Sequence, residues 1–238
     1  SESPEEYLEK GMDTAMLQAG YRKIAQEHGM PIDTTERPRM MATVTACRAI
    51  VATRLNAPDL ERRILRALRV LCFEGPLIDE PETIVMAANR AGIDPDELQQ
   101  WMGTDEVEQV LREDMARARE PMPAARVLDD RLANWSGGRR YTCPSYEVER
   151  VSDGVRISVP GFQPFAAYDV LLANLVPDLG RRGEPMGVQE VLAWAGFPLA
   201  TREVAEICEL DDRDAREQLG HVAIEHHVGA DGFWSLEA

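Results

Sequence analysis

Apolar positions recur at helical spacing through most of the N-terminal half of the chain. Over residues 5–28, Leu8, Met12, Met16, Leu17, Tyr21 and Ile24 predict one helix, stopped by Gly29. Met30-Pro31-Ile32-Asp33 then leads away as an extended turn. A second helix is predicted over 41–54, where Ala42, Ala46, Cys47, Ala49 and Ile50 suit close packing. A third covers 58–74, with Leu60, Ile64, Leu68 and Leu71 on one face. Asp79 reads as the N-cap of a helix reaching residue 91, with Glu82 at the capping-box position and Gly92 as its stop. Asp94-Pro95-Asp96-Glu97 repeats a start signal, with proline at the first helical position and carboxylates at the positive end of the dipole. Helices over 104–119 and, beyond Pro121 and Pro123, over 124–135 complete this stretch.

The period changes after residue 138. Residues 139–151 alternate, Ser152-Asp153-Gly154 is a turn signal, and 155–159 alternate again, which predicts a β-hairpin. Pro160-Gly161 ends it. A helix follows over 164–175, carrying Phe165, Tyr168, Leu171 and Leu172. Residues 177–185, rich in Gly, Arg and Pro, read as a connector. Helices over 188–195, 201–209 and 212–223 and a short hairpin within 228–236 then suggest a winged-helix-like module.

Charge removes the obvious use of such a module. The 238 residues carry 26 Lys+Arg against 42 Asp+Glu, a net charge of −16. From residue 181 onward, 5 arginines face 12 acids. A surface of this sign repels phosphate backbones, so nucleic acid and anionic lipid are disfavoured as partners, and packing or protein interaction is the expected role. No apolar run approaches the ~18 residues of a membrane span. Lys10 and Lys23 are the only lysines, an arginine bias that fits a GC-rich, bacterial coding sequence. The acidic start does not read as a signal peptide, and it lacks an initiating Met.

Candidate chemistry is sparse. Cys47, Cys72, Cys143 and Cys208 never form a CxxC pair, so reduced thiols in a cytoplasmic protein fit best. Cys47 is expected to pack in an Ala-rich face, and Cys72 and Cys208 to be core or half-buried. His28, His221, His226 and His227 lack metal-site spacing, and the adjacent pair would point to opposite faces of a strand. Neither a metal nor a cofactor is expected. Trp101, Trp135, Trp194 and Trp234 are dispersed and read as core residues.

The stretch Tyr141-Thr142-Cys143-Pro144-Ser145-Tyr146, followed by Gly154-Val155 and the run to Pro164, resembles the second half of a thioredoxin fold. With the helices before it, it resembles the DsbA-like thioredoxin family, whose helical domain is inserted between two halves. Gly29 to Asp33, Thr45 to Ala49, and the run from Leu65 towards Asp94 look like that insert. The resemblance covers about residues 15–175. It implies that Pro144 sits at the family's cis-proline, in a loop where Thr142, Cys143 and Pro144 bind substrate. Pro144 also reads as an ordinary trans turn, and Cys143 either as a resolving or site-lining thiol or as a small strand residue.

The pattern breaks where the family keeps its nucleophile. A strand, a CxxC-type cysteine at a helix N-terminus and a second strand would precede the insert; the chain reads either as part of a longer protein that carries them or as a relative that lost the redox half. Such a cysteine needs the helix terminus to become thiolate. The expected fold is helix-rich α/β: residues 1–40 as the N-terminal helix and linker of the thioredoxin-like domain, 41–135 as the helical insertion, 136–177 as the second thioredoxin-like half, and 186–238 as the winged-helix-like module. The implied activity is thiol–disulfide exchange with protein or low-molecular-weight thiols. Two alternatives stand: a non-catalytic interaction protein using the helical domain and acidic module, and a glutathione-dependent isomerase or transferase of the same fold group.

Overall fold

A computed structural model describes residue 1, residues 3–180 and residues 183–237. The chain forms two compact units, Ser1–Glu108 together with Glu184–Ala238, and Gln109–Gly183.

The first unit opens with two helices where the apolar spacing predicted one: α1 (Glu5–Glu9) and α2 (Thr14–His28). Gly11 has positive φ, and the Asp13 carboxylate accepts the Met16 N–H at 2.8 Å, capping the second helix. α3 (Val44–Asn56) turns Ala46, Ala49, Val51 and Ala52 inward. Cys47 therefore faces out and is exposed, which corrects its assignment to the packed face. α4 (Glu61–Glu74) buries Ile64, Ala67, Leu68 and Leu71 along one side.

The cap of α5 (Pro81–Ala91) is Glu80, with Pro81 at the first helical position. Asp79 has another partner set, which corrects its reading as the cap. Its carboxylate takes both the Arg39 guanidinium and the Ala42 N–H at 2.8 Å. α6 (Pro95–Met102) starts as its sequence predicts, with Asp94 accepting from the Asp96 and Glu97 amides. α7 (Asp105–Ala118) crosses the boundary between the units.

The C-terminal part of the first unit has the winged-helix order: α10 (Val188–Ala195), β5 (Leu199–Ala200), α11 (Thr201–Cys208), α12 (Asp212–Val222), β6 (Ile224–Val228) and β7 (Asp231–Ser235). The strands form one antiparallel sheet in the order β5-β7-β6. Val191, Leu192, Val204, Leu219 and Trp234 make its core. The Trp234 indole N–H donates to Thr201 Oγ1 at 2.9 Å, and that hydroxyl donates to Asp231 at 2.8 Å.

This module shares apolar surface with the N-terminal helices. Val70 of α4 lies in one buried cluster with Ala200, Val228 and Phe233, and Met30 and Phe73 pack against it. Arg66 reaches across with a forked pair to Glu203, 2.6 Å on each arm, and a 2.8 Å bond to the Pro198 carbonyl. At the wing turn, Gly229 has φ +63°, and a Cβ there would lie 2.2 Å from the Ile32 carbonyl oxygen. Trp194, expected in the core, is 60% exposed, with the Arg62 guanidinium 5.5 Å above its ring. The Arg62 guanidinium covers one face of the ring and leaves the rest in water.

The second unit contains α8 (Pro123–Arg126), β1 (Leu132–Trp135), β2 (Gly138–Tyr141), β3 (Tyr146–Arg150), β4 (Val155–Val159) and α9 (Phe165–Leu175). The helix expected over 124–135 is corrected here. Only Pro123–Arg126 is α-helical, and Leu132–Trp135 pairs antiparallel with Gly138–Tyr141 across a Ser136-Gly137 turn. Residues 139–151 are correspondingly two strands, in separate two-stranded sheets, split by 142–145. The β3–β4 hairpin pairs Tyr146 with Val159 and Arg150 with Val155. Residues 181 and 182 of the expected connector lie outside the described residues.

Candidate functional site

The four residues between β2 and β3 form a loop whose shape is fixed by one hydroxyl. Ser145 Oγ donates to the Thr142 carbonyl at 2.5 Å and accepts the Gly161 N–H at 3.0 Å, tying the loop to the chain leaving β4. The Cys143–Pro144 peptide bond is cis, and Cys143 is an exposed free thiol. A groove of about 400 Å³ runs past this loop, with Arg117 on one wall and Thr142, Cys143, Ser145 and Glu147 on the other.

Sequence alternation did not single out the polar node in the wall of the groove. Tyr141 Oη donates to Glu147 at 2.7 Å, accepts the Met122 N–H at 3.1 Å and lies 3.0 Å from Ser158 Oγ. Glu147 also receives Arg156, and Arg117 at 3.4 Å. Burial alone would raise the Glu147 carboxyl. The Tyr141 hydroxyl and the Arg156 and Arg117 charges outweigh it and hold the group below its ordinary value of 4.5. The signal was present in the pairing register: Glu147 faces Ser158 across the hairpin.

The direction of that shift sets a pH dependence. With the folded value depressed, the stabilisation is complete above the ordinary value and is lost as pH falls through the folded one. Glu147→Gln is expected to cost about 1–2 kcal/mol at neutral pH and to flatten the acid limb of stability. Urea unfolding at successive pH values measures both; an unchanged acid limb would contradict the assignment.

The other thiols lie apart from this loop. Cys72 is half-buried, 3.5 Å from Tyr21 Oη, and burial pushes both groups up. Cys208 is buried in the winged-helix core. Iodoacetamide labelling followed by mass spectrometry is therefore expected to modify Cys143 and Cys47 first and Cys72 and Cys208 only as the chain unfolds. Equal rates at all four would contradict this burial pattern. On β6, His226 Nε2 lies 3.4 Å from Glu74 and His227 Nδ1 3.4 Å from Glu225, so the two rings have different partners.

Residues 7–122, a little under half of the chain, match the family model of the DSBA-like thioredoxin domain. The match covers the helices as far as Met122 and ends before β1. The chain is also similar to the ClpXP adapter protein SpxH of Halalkalibacterium halodurans, at 26% identity over 216 residues. That alignment takes in 87% of this chain and 63% of SpxH, so the chain spans less than two thirds of its relative. No helix among the described residues is long and apolar enough to cross a membrane.

Proposed function

We propose that this chain supplies the substrate-binding half of a DsbA-like thiol–disulfide oxidoreductase acting on protein or small thiols in the cytoplasm. The attacking cysteine is contributed from outside residues 1–238. One observation carries the reading: the apolar side of the second unit is left uncovered beside the loop. Phe165 and Val170 of α9 are 78% and 59% exposed, and Phe162, Val155 and Tyr146 lie open as well. A two-stranded hairpin and an apolar helix are marginal alone and call for a larger sheet. Thr142, Cys143 and Pro144 then line the substrate groove, with Cys143 placed to face a mixed disulfide. Domain limits at 1–40, 41–135, 136–177 and 186–238 belong to the same proposal.

A second reading, a non-catalytic protein-binding module, is favoured by the likeness to an adapter protein. It uses the same loop without exchange. Intact mass and insulin reduction by the natural full-length protein separate the two. A longer chain with a Cys-x-x-Cys or Cys-x-x-Ser segment and measurable reduction supports the first reading. Absence of reduction by that protein, with retained binding of a partner, selects the second.

A further inference from the structure

One cavity of the first unit lies where α4 meets the winged-helix module. It encloses about 280 Å³, close to the lower end of the roughly 300–1,000 Å³ seen for small-molecule sites. Ala67 and Val70 line one side, and Phe197 and Phe233 line the other. This is room for one ring and a short arm.

The charges around it are unevenly committed. Arg90 holds Glu74 at 2.8 Å, and His226 approaches the same carboxylate at 3.4 Å, so that acid is already neutralised. Arg66 is tied to Glu203 and lies over both phenyl rings, 5.3 Å from Phe197 and 5.6 Å from Phe233. Its Nε–H is nevertheless buried without an acceptor among the described residues. Arg63 also lines the cavity, one turn before Ala67 on α4, and makes no hydrogen bond or ion pair among the described residues. One free guanidinium, one orphaned N–H and aromatic walls are matched by a ligand with a flat apolar body and a single negative charge.

We propose that this cavity binds a small aromatic carboxylate, with the ring against Phe197 and Pro198 and the carboxylate paired with Arg63. A charge-assisted bond of this kind adds discrimination that a neutral isostere lacks. Two of the walls are α4 and β7, so the ligand links the N-terminal helices to the winged-helix module and stabilises their docking when bound. The site is independent of the Cys143 loop and of any redox step.

Phenylacetate and phenylacetamide are the probes, titrated into the full chain by calorimetry and followed by amide NMR. The acid is expected to bind at least fivefold more tightly than the amide. Arg63 is exposed, so Arg63→Gln keeps the fold and is expected to weaken the acid roughly tenfold, the loss of about one charge-assisted bond, while leaving the amide unchanged. Shifts confined to α4, Phe197 and Phe233 support the assignment. Equal binding of acid and amide, no effect of Arg63→Gln, or no saturable binding of phenylacetate overturns it. A phenylalanine-terminated peptide that displaces phenylacetate at lower concentration also overturns it, by assigning the cavity to a protein chain end.

Discussion

Gly229→Ala is expected to lower stability by about 3–4 kcal/mol. Two costs combine. At φ +63° an L side chain already costs roughly 1–2 kcal/mol. The new Cβ would also stand 2.2 Å from the Ile32 carbonyl oxygen and 2.9 Å from its carbon, both backbone atoms that cannot swing away. Relief requires lifting the wing turn, which drags Val228 and Phe233 from Val70. Gly220→Ala is the matched control. Gly220 lies within α12 and an added Cβ meets nothing within 4 Å, so helix propensity predicts a gain of about 0.5–1 kcal/mol. Urea midpoints with unchanged slopes measure both; equal effects of the same sign would refute the clash.

Phe233→Ala is expected to cost about 3–5 kcal/mol, the usual range for a large ring removed from a tight site. Phe233 is 1% exposed, lies in the cluster with Val70, Ala200 and Val228, and carries the Arg66 guanidinium over its ring. Truncation leaves a void that the cluster can close only by moving β7 against α4. Because that ring belongs to both parts of the first unit, the loss is expected in circular dichroism and tryptophan fluorescence alike. A fluorescence shift with an unchanged helical transition would mean that the winged-helix module melts separately.

Local chemistry carried most of the helix boundaries. Asp94 capped α6 as its sequence predicts, and Gly29, Gly92 and Gly196 end α2, α5 and α10 in the left-handed conformation. The winged-helix order and the 155–159 strand were likewise legible from spacing and turn residues. The errors arose where two periods fit one short segment. Leu132 to Trp135 falls within the helix expected over 124–135, yet the Ser136-Gly137 turn beside it favours a hairpin. Asp79 has a good cap residue's chemistry, but Arg39 and the Ala42 amide compete for the same oxygen.

The candidate loop was visible in Thr142, Cys143 and Pro144, while its supports were not. Ser145 and Glu147 act through Gly161 and Arg117, 16 and 30 residues away, which no local window records. The cavity at Arg63 was hidden for the same reason, since half of its wall comes from beyond residue 195.

The Arg66–Glu203 fork joins residues 137 positions apart. During synthesis, at about 5–20 residues per second, Arg66 waits roughly 7–27 s for its partner to be translated. Through that interval Val70 and Phe73 have no Phe233 to cover them. The N-terminal helices thus leave the ribosome with an apolar face open, and β7 closes it.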